Sequence, residues 1–252
     1  MDETLDYPGQ AKVPLMNQPT RSHPQPHGGI LLASDHAYAV LRRDILLGVH
    51  APGDALRFAE LRTRYEIGGS PLREALFRLA AQKLVLLENN RGFRVPPLDR
   101  ADWDDIVAMR RRLEPAAAAL SVTHGSDGWE EDLLVAHRRL TRLGRADEIV
   151  TPLGPSERSG QWENCHRHFH QTLIAVCGSD WTIRFCDLLS DQFDRYRRFA
   201  MPSRDVQAAL AGHHDALLDA AIARDSARCD ALLDTHIEMT GAAVARELAR
   251  IV

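Results

Sequence analysis

The run WENCHRHFH places His166, His168 and His170 within one and a half turns of a helix. Residues four apart share a helix face and residues two apart do not, so His166 and His170 can hold one metal ion while His168 points away. Further along, HHDALLDAAIARDSARCDALLDTH supplies His213, His214 and His236. Metal sites in helical bundles are built from side chains of facing helices, and neutral imidazole suits zinc, nickel, copper and iron. Such a cluster can also serve metal-dependent hydrolysis or oxygen chemistry. No acid or base stands near it at a suggestive spacing, however, so binding rather than turnover is the expectation. His124 and His137 have no partners at ligand spacing and are read as surface or core residues. The remaining residues able to do chemistry are arginines, since only Lys12 and Lys83 among the 31 basic residues are lysine. Base composition accounts for most of these arginines, and the exceptions must be found from their place in the fold.

The scaffold is a chain of 252 residues, 44% hydrophobic and 26% charged, with a formal net charge of -4. That is the balance of a globular chain of one or two domains with ample core. No apolar run approaches the roughly 18 residues of a membrane span, so no membrane partner is expected. The first thirty residues lack the basic start and apolar run of a secretory signal, which leaves the cytoplasm as the expected compartment. Cys165, Cys177, Cys186 and Cys229 form no CxxC pair and are expected to be reduced thiols buried as small hydrophobes.

The small net charge hides two opposed parts. Residues 34–95 hold ten basic and seven acidic side chains, a net +3, whereas residues 101–252 carry -6. A basic module joined to a larger acidic one is the layout of a nucleic-acid reader with a separate regulatory or assembly body. Residues 1–33, proline-rich and with little apolar period, are expected to be a disordered tail. A helical period then runs through Tyr38, Leu41, Ile45 and Leu46 and stops at Gly48. The turn APGD, a short helix around residues 60–65 and the turn IGGS follow. A second helix has Ser70 as its expected N-cap, Pro71 at its first position, and Leu72, Ala75, Leu76 and Leu79 on one face. LVLLE and GFRV are strand-like runs joined by a hairpin turn at Asn89, Asn90 and Arg91. Helix, helix, turn, helix and a small two-stranded wing is the order of a winged helix-turn-helix domain, here residues 34–96.

The strings APGD, SPLREAL, L-V and RGFRV, in this order and spacing, resemble the DNA-binding domain of GntR-type bacterial transcription regulators over about sixty residues. The resemblance implies double-stranded operator DNA as partner, with the second helix of the motif in the major groove. It assigns Arg73 to the arginine of the family's P-x-R-E-A-L signature, expected to reach a base edge or a phosphate. Ser70 matches a polar residue that contacts phosphate. Arg91 and Gly92 match a wing tip that can enter the minor groove, and Arg62 and Arg64 stand where phosphate contacts are expected. Gly69 and Ala59 occupy positions where family members commonly carry basic residues, so no particular operator sequence is carried over.

From residue 101 the pattern is helical almost throughout. Helices are expected near 101–123, 127–143, 158–177, 179–199, 204–223 and 225–249, with a Gly- and Pro-rich loop at 145–157. The whole chain is thus mainly α, the wing being followed by an all-α antiparallel bundle over residues 97–252. The arginines of DRYRR (Arg195, Arg197 and Arg198) are read as a solvated face paired with Asp191 and Asp194.

The RxxLE run from Arg110 to Glu114, Phe169 and His170 followed by CGS, and the H…A…ARD…H pattern resemble the FCD ligand-binding domain of the FadR-like branch. In that family an acidic residue and three histidines bind a divalent metal. The resemblance selects His214 over His213 and sets His166 at the usual Asp or Asn position, so the implied site is His166, His170, His214 and His236. A three-histidine site without His166 is the alternative. Zinc is the first expectation, with nickel or another transition metal next. Loss of the acidic ligand leaves the ion's charge uncompensated and favours an anionic effector. A small organic acid is therefore expected there, with Arg110 as a second clamp unless it pairs with Glu114. The resulting expectation is a homodimeric regulator, a repressor by family habit, whose operator binding responds to that acid. A direct metal sensor and a metal-dependent enzyme are the alternatives.

Overall fold

A computed structural model describes residues 33–88, 92–144, 157–200 and 204–251. The expected tail, the hairpin turn with Arg91 and the loop at 145–157 therefore lie outside the described residues, except for Ala33 and Glu157, which open helices.

In the reader, α1 (Ala33–Leu46) buries Ala37, Leu41 and Ile45 on one face, the spacing helix geometry requires. It ends in a Schellman motif: Val49 N–H donates to Asp44 O at 2.8 Å and Gly48 N–H to Ile45 O at 3.1 Å, with Gly48 at φ +72°. Glycine suits that left-handed position. A β-carbon on Gly48 would also lie 2.9 Å from Phe199 Cζ. Gly48→Ala is expected to lower the unfolding free energy by about 1–2 kcal/mol, from the left-handed backbone and the displaced ring. Denaturant titration measures this, and an unchanged midpoint would contradict the motif's role.

Helices α2 (Phe58–Tyr65) and α3 (Gly69–Ala81) form the helix-turn-helix. Ser70 is not the N-cap. Gly68 holds that place, and Ser70 lies exposed inside the first turn. The first helical N–H groups have no intrahelical partner, so Pro71 loses no bond there, and the ladder begins with Leu72 N–H donating to Gly68 O at 3.2 Å. Leu72, Ala75, Leu76 and Leu79 are fully buried, as the spacing predicts.

Among the described residues the two strands of the wing are joined by a third. β1 (Ala55–Leu56), β2 (Leu86–Glu88) and β3 (Gly92–Arg94) run in the order β1-β3-β2, both pairs antiparallel. Ala55 faces Arg94 and Leu87 faces Phe93. Gly53 N–H to Val95 O (3.0 Å) and Val95 N–H to Asp54 O (2.9 Å) extend the β1 pairing. A two-residue strand carries no period of its own, and the pairing partner alone makes it one.

Among the described residues the body is six helices, α4 (Arg100–His124), α5 (Asp127–Gly144), α6 (Glu157–Ile174), α7 (Asp180–Phe199), α8 (Arg204–Ile222) and α9 (Ser226–Ile251). Asp99 caps α4 by accepting from Asp102 N–H at 2.8 Å, and Ser179 caps α7. One core gathers Val122, Trp129, Leu133, Phe169, Leu173, Leu217 and Leu233, and a second gathers Trp103, Phe193, Tyr196 and Leu248. α4 lies closely along α9, where a β-carbon on Gly241 would stand 2.8 Å from Val107 Cγ1 and where Trp103 Nε1 donates to Gly241 O at 3.0 Å. Cys177, Cys186 and Cys229 are buried free thiols, with Cys165 half-buried. Among the described residues no helix is long and apolar enough to cross a membrane.

Candidate metal centre and DNA-reading helix

His166 and His170 stand one turn apart on α6, facing His214 of α8 and His236 of α9, and all four are buried. One nitrogen from each lies within 4.8 Å of the others, and the Nε2 atoms of His166 and His170 are 3.2 Å apart. Tetrahedral zinc with bonds of about 2.0–2.1 Å needs ligand pairs about 3.3 Å apart, so the imidazoles stand near coordination distance. Among the described residues no carboxylate belongs to the group.

Burial holds these imidazoles neutral. It sets His166, His170 and His236 well below the ordinary value, with the neighbouring imidazoles and Arg110 adding to the effect. Burial and then Arg197 bring His214 down to about 3. His214 Nε2 and the Nδ1 atoms of His170 and His236 are buried without a hydrogen bond among the described residues. Buried polar nitrogens left unpaired are costly, whereas deprotonated imidazoles are what a metal requires. The donor set fits a borderline divalent transition ion and does not suit calcium or magnesium, which take oxygen ligands.

The neighbouring histidines stand outside the group of four. His168 is exposed, and the His213 ring stands 5.9 Å from that of His236 without joining the four. His124 is exposed, and His137 Nε2 meets Asp215 Oδ1 at 2.8 Å.

Arg110 is placed differently from the expected open clamp. It is buried, its Nε and Nη2 are committed to Glu114 at 2.6 and 2.9 Å, and its guanidinium lies 3.9 Å from the Phe193 ring centre. The i,i+4 spacing makes this pair local, so Arg110 contributes field at the histidines more readily than a free hand to a ligand.

The DRYRR arginines are not a solvated face. Arg195 and Arg197 are buried, Arg195 donating to Pro96 O at 2.8 Å and Arg197 pairing with Glu163. Asp191 and Asp194 instead take Arg167, and Asp191 also takes Arg42. Arg197 is the residue the sequence reading missed. Its Nε is buried without a partner among the described residues, and burial followed by Arg110 lowers its pKa to about 9. It lies over Trp162, 5.0 Å from the ring centre, and Trp162 stacks on His166 at 4.9 Å. The signal available was Trp162 four residues before His166, on the same helix face.

On the reader, Arg73 projects from the first turns of α3, exposed and 5.4 Å from the Phe58 ring centre. Among the described residues no carboxylate pairs with it. Arg62, Arg64 and Ser70 are exposed, with Arg64 5.6 Å from the Tyr65 ring centre. Gly92 opens β3 at φ +85° and a β-carbon there would meet nothing within 4 Å. Its neighbour Arg91 lies outside the described residues.

Two family models match the chain: "Bacterial regulatory proteins, gntR family" over residues 33–95 and "FCD domain" over residues 105–239. The chain is 39% identical over 219 residues to the HTH-type transcriptional regulator BphR of Paraburkholderia xenovorans, covering 85% of this chain and 86% of that one. It is 32% identical over 210 residues to the HTH-type transcriptional repressor GlaR of Escherichia coli, covering 82% and 93%. Among solved structures, Escherichia coli McbR/YncC superposes with a TM-score of 0.73 at 19% identity, over 87% of this chain and all of that one. The last of these speaks for the fold alone.

Proposed function

We propose, from the premise that this chain belongs to the gntR family of bacterial regulatory proteins and carries an FCD domain, how its DNA-binding regulation works. The premise covers DNA-binding transcription regulation, the activity named in its relatives BphR and GlaR, and sets enzymes aside. The proposal is that residues 34–96 read operator DNA as part of a homodimer. Residues 97–252 would hold a divalent metal on His166, His170, His214 and His236, and a small carboxylate bound there would alter operator affinity. Repression is the proposed sign, as in the name of GlaR.

The observation that carries the reading is the convergence of four buried, neutral imidazoles without a carboxylate among them. A bound divalent ion would supply a Lewis-acidic positive charge in a site whose buried arginines already have their acidic partners. The protein's own part is to keep the imidazoles deprotonated, to keep bulk water out and to set the approach of an anion. Such an anion must bind the two conformations of the regulator unequally if it is to shift operator affinity.

The test is operator binding by chelated protein, by zinc-loaded protein, and by zinc-loaded protein with a panel of organic acids. A change on adding an acid to loaded protein supports the reading. A change on adding zinc alone favours a metal sensor, which the four neutral ligands also suit. Indifference to both removes sensing at this site.

The reader is tested separately. Arg73→Ala is expected to weaken specific operator binding by about 10- to 100-fold, the value of one good base contact. Arg62→Ala should weaken all DNA alike and reduce the salt slope by about one. Operator affinity unchanged in the Arg73 variant, measured at fixed salt, would contradict the assignment.

A further inference from the structure

Helix α7 carries none of the four histidines, yet among the described residues it makes the hydrogen bonds that fasten the reader to the body. From Asp191 to Arg197 all but Asp194 are buried. Its polar groups divide between two sides. Toward the reader, Asp191 accepts from Arg42 Nε at 2.7 Å and from Arg42 Nη2, both on α1. Gln192 Nε2 donates to Gln82 O at 2.8 Å, at the C-cap of α3, and Arg198 Nε donates to Leu47 O at 3.2 Å. Arg195 holds the connecting segment through Pro96 O. Toward α6, Arg167 spans Asp191 and Asp194, at 2.5 Å from each, and Arg197 pairs with Glu163.

Arg167 is the residue after His166. Its partner atom Asp191 Oδ1 also accepts from Arg42, so one carboxylate oxygen is shared by a guanidinium on the histidine helix and one on the first helix of the reader. Neither arginine is fully exposed, and the side chain of Asp191 is only 7% exposed. Solvent screening of the three-way contact is therefore weak. A displacement of Arg167 changes the charge left on Asp191 to hold Arg42. Arg197–Glu163 and Arg167–Asp194 also join α6 to α7.

We propose that Asp191 is the positioning residue of the response: sharing its carboxylate between Arg167 and Arg42, it passes a shift of α6 on ligation of His166 and His170 to α1 of the reader. This rests on the reading that occupancy of the histidine site alters operator binding. The relay is a contact with two competing partners, and a change at one partner is felt at the other without contact between α6 and DNA.

The experiment measures zinc affinity, and operator affinity with chelator and with saturating zinc, for the full chain and for Asp191→Asn and Arg42→Gln. Arg42 is partly exposed, with a side chain 31% accessible, so its variant keeps the test open should the Asp191 variant fold poorly by circular dichroism. In the unsubstituted protein the ratio of the two operator affinities is expected within the roughly 5- to 150-fold range of ordinary coupling. Both variants are expected to keep zinc affinity within about twofold while that ratio falls to within about twofold of one. A merely structural role would lower both operator affinities together and leave their ratio alone. Variants that retain the full ratio overturn the relay and leave the sensing reading standing. A ratio of one in the unsubstituted protein, with zinc bound, overturns the relay and the metal-sensor reading, and leaves the carboxylate reading to the panel of acids.

Discussion

Replacing His170 and His214 together with alanine is expected to leave the purified protein without stoichiometric metal. The two side chains come from different helices, α6 and α8, and each offers a buried nitrogen to the same small volume. Structural zinc on four protein ligands is worth on the order of 10–16 kcal/mol at neutral pH. Losing half of the donors removes about half of that, or about a 10⁴- to 10⁶-fold loss of affinity. Single substitution of His166 answers a finer question. In a four-histidine site His166→Ala loses metal affinity by about 10- to 100-fold or more, whereas in a three-histidine site it leaves affinity nearly unchanged. Elemental analysis after dialysis against a weak chelator, together with competition against a zinc-sensitive dye, measures both. Stoichiometric metal retained by the double variant would sink the proposed centre.

The reason to expect four rather than three lies in how His166 is held. Its ring stacks on Trp162 at 4.9 Å and lies 4.5 Å from the ring of His170 and 5.0 Å from that of His214, centre to centre. A side chain fixed on one face by an indole has few other rotamers, and a preset ligand loses little entropy on binding. The indole is in turn covered by the Arg197 guanidinium. This support sits where the resemblance expects an acidic ligand, which a stacked indole would not hold in the same way.

The order of elements was legible in the sequence because hydrophobic period is local. Leu72, Leu76 and Leu79 on α3 needed no tertiary knowledge. What was not legible was settled by partners far along the chain. β1 becomes a strand because Arg94 and Phe93 arrive beside Ala55 and Leu56. Arg195 and Arg197 look like surface residues in DRYRR, and only Pro96, 99 residues away, and Glu163, 34 away, explain their burial. The convergence of the four histidines was legible for a related reason: His166 and His170 repeat at helical spacing on α6, and the family resemblance chose between His213 and His214. Arg110 was half legible. The i,i+4 pairing with Glu114 could be read, but not that both would be buried, with Arg110 over Phe193.

Acid should unfold the metal-free protein far more steeply than its carboxylates alone would allow. In the unfolded chain each imidazole titrates near its ordinary value of about 6.5. In the folded chain burial holds His166, His170 and His236 well below that, and His214 down to about 3. Between these limits the unfolded state binds up to four more protons than the folded state. Stability therefore falls as pH drops below about 6.5 and is regained as pH rises through it. Each histidine contributes a slope of at most about 1.4 kcal/mol per pH unit, so the four together reach about 5 kcal/mol per unit. Domain stabilities are on the order of 5–15 kcal/mol, and a fall of that size over one to two units brings the metal-free protein to its unfolding threshold near pH 5. Metal bound to the neutral imidazoles adds its own binding free energy to the folded state. Loaded protein should consequently resist acid to a lower pH. The check is thermal unfolding between pH 7.5 and about 5, with chelator and with zinc, for this chain and for a variant with all four histidines replaced by glutamine. If the quadruple variant keeps the full acid slope, the buried imidazoles are not its source and the account of the site as a neutral, desolvated cluster fails.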